Sequence, residues 1–335
     1  MDAERFLLLL RAFYRESKFA EFYAAHQAMY RQAEDRFATT LQAVDFGWYP
    51  RFYGKLPDLT YSLILGLNNG GGNYGPRLLP PDGRLQLFSI IGCWTHDGDG
   101  NPTYPADQGY LATIIHEFNH SFVNPAVDDQ WKDFSGAEQI YATVADQMGR
   151  MAYGDSKAMV DESLVRAAVI IYFQQSGEDS RKNLKRIREE QRYGFFWMDQ
   201  LVDDLKLYEA QRTQYPTLSS YVPRITVFYS ELAKHASAMA AEFDAKSAHV
   251  VKIGPFANHA EEVDPSVKMV TITVDKPLDP SGYSINRGID GDEHYPIAGK
   301  PTFGDDGLHI LLPVQLKPSQ RYSFVLTPMA LLLST

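Results

Sequence analysis

The 335-residue sequence contains a single cysteine, Cys93. One thiol excludes an intramolecular disulfide and a cysteine-rich metal site. Long apolar runs are also absent, because the most compact one, Phe6 to Leu10, is followed by Arg11 and is far shorter than the roughly 20 residues that cross a bilayer. We therefore predict that this chain has no transmembrane segment and that Phe6 to Leu10 lies on an amphipathic helix.

Basic residues are in short supply as well. Lysine and arginine number 32 against 42 aspartates and glutamates, which gives a net charge of −10. Binding to a nucleic-acid backbone depends on lysine and arginine that release counterions, so this balance argues against a nucleic-acid partner. With 44% hydrophobic residues, the chain is nevertheless long enough for a sizeable core and two domains.

Histidine is scarce too, yet two of the nine histidines stand four residues apart in the motif HExxH, as His116 and His120. Apolar residues recur around them at three- and four-residue intervals, which predicts a helix between the turn residues near Pro105 and Pro125. Residues four apart project from one helical face, so both imidazoles can approach one metal ion. The spacing predicts a Zn²⁺ site.

Glu117, the second residue of the motif, is the candidate catalytic group. A zinc ion lowers the pKa of bound water to about 7, and a neighbouring carboxylate can accept the proton and later deliver it. The motif therefore indicates peptide-bond hydrolysis with Glu117 as general base and acid. The alternative interpretation is a helix with hydrogen-bonded histidines and a solvated Glu117.

A zinc hydrolase normally has three protein ligands, so the sequence must supply another. The metzincin extension HExxHxxGxxH is absent, because Val123 and Ala126 occupy its glycine and last histidine positions. We predict Glu162, which stands in a strongly apolar helical run where a buried carboxylate needs a cation or hydrogen bonds. The structural alternative is an ion pair between Glu162 and Arg166. The other candidate ligands are Asp161, Glu138, Asp146, His96 and His235.

HEFNHSF at residues 116–122 and ESLVRA at residues 162–167 resemble bacterial zinc peptidases of the gluzincin type. The closest likeness is to a bacterial HExxH family without an established substrate, and it covers most of residues 1–245. It implies that His116, His120 and Glu162 bind zinc while Glu117 is the general base and acid. The ExxSD and GxMEN motifs of two gluzincin branches are absent, so no subfamily specificity is implied.

The resemblance also bears on substrate alignment. In gluzincins the strand before the HExxH helix commonly borders the cleft, which implies that Leu87 to Trp94 pairs with an extended substrate. The alternative interpretation is a strand of the core sheet. We predict sheet strands at Leu59 to Leu67 and at Leu85 to Gly92. The glycine-rich residues 68–75 between them predict a turn with positive φ angles. The loop at residues 97–101 begins like a calcium loop, but the rest of that pattern fails, which favours a polar connection.

Short alternating apolar runs appear after Lys246, at Val250 to Ile253, Met269 to Val274, Leu308 to Pro313 and Tyr322 to Leu326. Together with Gly254-Pro255-Phe256 and Asp264-Pro265 they resemble a bacterial immunoglobulin-like domain. We predict an α+β fold, in which a mostly helical gluzincin-like zinc peptidase domain with a small sheet (residues 1–245) precedes an all-β immunoglobulin-like sandwich (residues 246–335). Because the chain ends with Met329 to Thr335 soon after Leu326, we expect a last sheet strand that is irregular or missing.

Near the start of the chain, residues 3–45 have alternating helical faces. Aromatic and apolar residues recur there at helical spacing, which predicts core positions for Phe19, Phe22, Tyr23, His26, Met29 and Tyr30.

These patterns predict a zinc-dependent peptidase that acts on a peptide or protein substrate, with an endopeptidase slightly favoured over an exopeptidase. One alternative is an inactive peptidase fold that binds a peptide or glycan at the cell surface, and another is a zinc hydrolase of a different amide. The resemblance implies export to the periplasm or cell surface, with the signal segment absent from this chain. A cytoplasmic location and the oligomeric state stay open.

Overall fold

A computed structural model of the chain describes residues 2–56, 58–278, 285–288 and 290–326. This part of the chain contains ten α-helices and several small sheets, and about 50% of it is helical, which confirms the α+β class. Among the described helices, none combines the length and the apolar character that crossing a bilayer requires. The domain boundary at residue 245 stays a prediction.

The helices are α1 Ala3–Glu16, α2 Phe19–Ala25, α3 Gln27–Gln42, α4 Trp48–Tyr53, α5 Tyr110–Asp128, α6 Ala137–Arg150, α7 Ser156–Gln175, α8 Ser180–Arg192, α9 Met198–Ala210 and α10 Leu218–Lys246. The strands are β1 Leu59–Gly66, β2 Arg77–Leu78, β3 Leu85–Gly92, β4 Thr95–His96, β5 Pro102–Thr103, β6 Val250–Gly254, β7 Met269–Val274, β8 Ile285–Arg287, β9 Thr302–Phe303, β10 His309–Pro313 and β11 Phe324–Leu326. Short 3-10 helices lie at Ala106–Gln108, Trp131–Asp133 and Asp292–His294.

The chain divides into two compact units. Unit 1 comprises Met1–Trp131, Leu164–Gly177 and Val202–Arg224, and unit 2 comprises Lys132–Ser163, Glu178–Leu201 and Ile225–Thr335. The division falls inside α7, which is one uninterrupted helix from Ser156 to Gln175.

The predicted strand pair of unit 1 is confirmed. β1 and β3 pair in parallel, in a register that begins at Leu59 with Leu85 and ends at Gly66 with Gly92. Parallel neighbours need a long connection, and here the connection contains β2, which pairs antiparallel with the other side of β3. The strand order is therefore β1-β3-β2, with β3 in the centre. Alternate β3 residues are completely buried, so one face of the sheet belongs to the core.

An aromatic layer supports α5 on the side opposite its histidines. The ring of Phe118 contacts Tyr61 at 5.2 Å and Tyr49 at 6.1 Å, and Phe122 stacks on Tyr53 at 4.6 Å between ring centroids. Burial raises the pKa of Tyr49 and of Tyr53 well above the usual tyrosine value, so both stay neutral. This packing fixes the rotation of α5 about its axis and so the direction in which its polar residues point.

Helix α5 confirms the helix that the HExxH spacing predicts, and it continues one turn further. It begins after Gly109, whose φ of 93° suits glycine, and it ends at Asp128 with Pro125 inside its last turn. Proline has no N–H to donate to the carbonyl four residues earlier, which is that of Ser121. The Arg77 guanidinium donates to this Ser121 oxygen instead, with an Nη1–O distance of 3.3 Å.

The predicted core positions near the start of the chain are wrong. No residue of α1 or α2 is buried, and the side chains of Phe19, Phe22, Tyr23 and Met29 are 37–49% exposed. The helical periodicity is real, but α1 packs on α2 and α2 on α3, which leaves much of the apolar surface uncovered. Within α3, burial begins at Ala33 and continues at Phe37 and Thr40.

All four strand runs predicted after Lys246 are confirmed to within two residues at either end. Strands β6, β7, β10 and β9 form an antiparallel sheet in that order, and β11 pairs with β8. Their inward side chains share a core that includes Val270, Ile272, Ile310 and Leu312. The predicted irregular strand at Met329 to Thr335 lies outside the described residues.

Candidate metal centre

The Nε2 atoms of the two histidines in the HExxH motif point toward one common position. His116 Nε2 and His120 Nε2 are 3.1 Å apart, and the ring planes are nearly perpendicular. Two nitrogens that bind tetrahedral zinc at 2.0–2.1 Å are about 3.3 Å apart. The spacing of these two nitrogens therefore already fits two ligands of one zinc ion.

Asn124 holds the ring of His120. Its Oδ1 accepts a hydrogen bond from His120 Nδ1 at 3.1 Å, one helical turn along α5. Because an amide oxygen only accepts, the proton sits on Nδ1 and the lone pair on Nε2. Metal-binding histidines almost always have such a partner for the second nitrogen. The sequence analysis missed Asn124, although its spacing of four residues from His120 was a usable signal.

Glu162 completes a set of three side chains that could hold a metal ion. One ligand atom from each of His116, His120 and Glu162 lies within 4.8 Å of the others, and Glu162 is 8% exposed. Two imidazoles and a carboxylate are the donors of many catalytic zinc sites. Among the residues that the structure describes, this is the one group of three or more histidine, cysteine or acidic side chains close enough to share an ion.

Buried hydrogen bonds hold the segment of α7 around Glu162. Asn119, which is completely buried between the two histidines in sequence, donates from Nδ2 to the Val165 carbonyl of α7 at 3.4 Å. Ser163, the neighbour of Glu162, shares a short hydrogen bond with the buried Tyr229 hydroxyl. These bonds hold the part of α7 that directly follows Glu162 and limit how far its carboxylate can move.

The rival third ligands lie elsewhere. Glu138 is exposed and accepts a hydrogen bond from Ser156 Oγ at 2.7 Å, while Asp161 pairs with Lys157 at 2.7 Å. His96 is exposed and stands 3.6 Å from Cys93 Sγ. Asp146 and His235 are exposed as well.

Glu117 is buried, and its main chain lies against Gly75. Its residue is 6% exposed, and its main-chain oxygen faces Gly75. A Cβ atom on Gly75 would stand only 1.9 Å from that oxygen, closer than any two such atoms can approach. Glycine at position 75 therefore lets the chain pass directly against α5 at the candidate general base.

Residues 73–78, here called the edge segment, run along β3 on the side away from β1. Tyr74 and Ile90 exchange two main-chain hydrogen bonds of 3.0 and 2.8 Å, and Phe88 N–H donates to the Pro76 carbonyl at 2.9 Å. The predicted pairing of Leu87 to Trp94 with a substrate is wrong, because the edge segment already occupies that side of β3.

The two loops that stood out in the sequence have structural roles. Of Gly70, Gly71, Gly72 and Gly75, only Gly70 has a positive φ, so the predicted turn conformation holds at one position. Asp97 accepts from the main-chain N–H groups of Asn101 and Asp99 and pairs with Arg36 at 2.8 Å. These hydrogen bonds, led by that from Asn101, lower the pKa of Asp97 to about 2. Residues 97–101 therefore close on themselves as a polar connection.

We expect Gly75→Ala to destabilise unit 1, because the new methyl group cannot avoid the Glu117 main chain. The free energy of unfolding should fall by about 1–3 kcal/mol, as for other overpacked sites. Gly71→Ala is the matched control, since its Cβ would meet open space and its φ is ordinary. Urea denaturation of both variants measures the difference. Equal midpoints would mean that the edge segment does not press on α5.

Comparison with curated proteins and with solved structures gave no match. Residues 1–228 match one protein family, described as Domain of unknown function (DUF4932). The matched region is more than half of the chain and includes all four residues of the candidate site, His116, Glu117, His120 and Glu162. The chain therefore belongs to the DUF4932 family.

Proposed function

We propose that this protein is a zinc-dependent peptidase. The observation that carries the proposal is the convergence of His116, His120 and Glu162 next to the buried Glu117 of the same HExxH helix. His116 and His120 would hold the ion through Nε2, and Glu162 through a carboxylate oxygen. Zinc in such a site polarises the substrate carbonyl and brings the pKa of a bound water to about 7.

Glu117 is the proposed proton carrier. Its carboxylate accepts a proton from the attacking water and delivers it to the leaving amine nitrogen, so one group serves as base and then as acid. Its position beside His116 on a rigid helix keeps the carboxylate next to the metal-binding groups. Low exposure limits competing solvent hydrogen bonds to that carboxylate.

The edge segment offers a place for an extended substrate. In an antiparallel pair, main-chain groups of alternate residues face the neighbouring strand. Tyr74 and Pro76 bond to β3, so the N–H and C=O groups of Gly75 and Arg77 face the other way. A peptide that pairs with these groups would pass next to Glu117, where Gly75 touches α5. Recognition through main-chain groups requires no free terminus, which favours an endopeptidase.

The finer fold and the location belong to this proposal. We infer a gluzincin-like arrangement for residues 1–245 from the sheet, the HExxH helix and the later glutamate. We also infer an immunoglobulin-like sandwich for residues 246–335, which the antiparallel sheet and shared apolar core of that region support. A peptidase with such a module fits export to the periplasm or cell surface.

Incubation of the zinc-loaded full chain with a quenched fluorescent peptide library tests the function. We expect cleavage that a chelator stops and added zinc restores, with N-terminally acetylated peptides cut as well as free ones. Mass spectrometry of the products identifies the bond. Peptide or glycan binding without any cleavage would favour the inactive peptidase fold, and cleavage of other amides alone would favour the different hydrolase.

We expect Asn124→Leu to weaken zinc binding about 10- to 100-fold, the usual effect of losing the partner of a histidine ligand. Leucine has a similar volume but no acceptor for His120 Nδ1, so the ring loses its fixed orientation. Asn124→Asp keeps an acceptor and is the matched control. Competition with a chromogenic zinc chelator measures both affinities, and an unchanged affinity in Asn124→Leu would remove Asn124 from the centre.

A further inference from the structure

Helices α1 and α2 present a large apolar surface. Of the residues described there, none is buried, and the large apolar side chains between Phe6 and Met29 keep 37–65% of their surface exposed. These side chains are Phe6, Leu7, Leu8, Leu9, Leu10, Phe13, Tyr14, Phe19, Phe22, Tyr23 and Met29. Monomeric proteins rarely expose so many large apolar groups in one place.

The apolar residues of α1 form a continuous face. At 100° per residue, one side of the helix collects Phe6, Leu7, Leu9, Leu10, Phe13 and Tyr14. Glu4, Arg11 and Arg15 border this face on one flank, and Arg5 and Glu16 border it on the other. Leu8 falls within the polar side and is the most exposed of the set, at 65%. The face itself contains no charged residue.

The area of this surface matches one half of a stable protein interface. Taking roughly 180 Å² for a whole large apolar residue, the exposed fractions on α1, α2 and the start of α3, with Leu8 left out, sum to about 900 Å². A typical specific interface buries about 800 Å² per partner, whereas the largest patch of a monomer is about 300–600 Å².

The charges next to the face favour a protein partner over a lipid surface. Helices that lie on anionic membranes have clusters of lysine and arginine on the polar side. Here α1 has three arginines and two glutamates, and the chain as a whole has a net charge of −10.

The order of these charges lets α1 pair with a second copy of itself. The first turn has Glu4 on one flank and Arg5 on the other, whereas the last turn has Arg15 and Glu16 on the same two flanks. Two copies of α1 placed antiparallel would therefore set Glu4 against the partner subunit's Arg15, and Arg5 against the partner subunit's Glu16. A parallel pair would set Glu4 against the partner subunit's Arg5, and Arg15 against the partner subunit's Glu16, so opposite charges meet in that order too.

We propose that the apolar face of α1, extended by α2, is a homodimer interface. In an antiparallel crossing about a two-fold axis near Leu10, Phe6 would face the partner subunit's Tyr14, and the charge exchange below distinguishes this order from a parallel one. The opposite charges on the flanks set the register, and the apolar face supplies the binding free energy. This interface is independent of the metal centre.

Sedimentation velocity of the full chain over a wide concentration range tests the proposal. We expect a dimer for the wild type and at least about 100-fold weaker association for Leu10→Asp, which places two carboxylates together on the axis. Leu8→Asp makes the same change on the polar side of the same helix and should leave the dimer intact. Neither site is buried in the monomer, and circular dichroism confirms that each variant stays folded.

A charge exchange tests the antiparallel order. Glu4→Arg alone should weaken the dimer, because it faces the partner subunit's Arg15, and adding Arg15→Glu should restore it. A wild type that stays monomeric at every concentration would overturn the proposal. Equal effects of Leu8→Asp and Leu10→Asp would overturn it too, as would a monomer that cosediments with anionic phospholipid vesicles.

Discussion

Glu117→Gln should abolish peptide hydrolysis and leave zinc bound. Glutamine has the shape of glutamate but cannot accept and return a proton, so the rate constant for cleavage should fall by about 1,000-fold or more. His116, His120 and Glu162 are unchanged in this variant, so the zinc affinity should stay within a small factor of wild type. Loss of hydrolysis without loss of zinc is the result expected for a general base and not for a zinc ligand.

The measurement pairs elemental analysis with the turnover of a peptide taken from the library screen. Glu138→Gln is the control, because Glu138 is exposed and lies outside the group of three ligands. It should retain both zinc and activity. Cleavage by Glu117→Gln at the wild-type rate would exclude Glu117 as the base.

Glu162→Ala should weaken zinc binding itself. Removing the only carboxylate of the proposed donor set leaves two neutral imidazoles, which neutralise none of the charge of the ion. We expect the zinc dissociation constant to rise at least about 100-fold, which exceeds the effect expected for Asn124→Leu. When zinc is limiting, the rate of peptide hydrolysis should fall together with the zinc affinity.

Chelator competition on the folded protein measures this change, with Glu138→Ala as the matched control. Both substitutions shorten a glutamate to alanine, but only Glu162 is buried beside the histidines. If Glu162→Ala kept its zinc affinity, the third ligand would have to be another residue.

The candidate metal ligands were predictable because their signals are local. A helix is enough to bring His116 and His120 together at their spacing of four residues. The apolar periodicity of residues 110–122 predicts that helix. Glu162 could be found from the cost of a carboxylate in an apolar helical run. The structure brings these three residues together.

The edge segment could not be predicted in the same way. Strand β2 has two residues, too few for a period-2 pattern, and its pairing with β3 depends on the parallel register of β1 with β3. The contact of Gly75 with Glu117 joins residues distant in sequence. A glycine-rich stretch indicates a turn or a close approach but does not say which.

The error at the start of the chain has a different cause. The spacing of Phe19, Phe22 and Tyr23 correctly gave an apolar helical face, but such a face does not identify what covers it. The spacing predicts that the chain's own core covers this face, whereas the structure leaves the face exposed. An apolar face that stays exposed in the structure indicates that the protein associates with a partner. The sequence alone does not show whether such a face is exposed.

Zinc content per chain, measured on wild type and His116→Ala side by side after purification without chelator, tests the central claim most directly. The metal centre described here predicts about one tightly bound zinc per wild-type chain and almost none in the variant, with both proteins folded. A wild-type protein that holds no zinc even after reconstitution with the metal would contradict it.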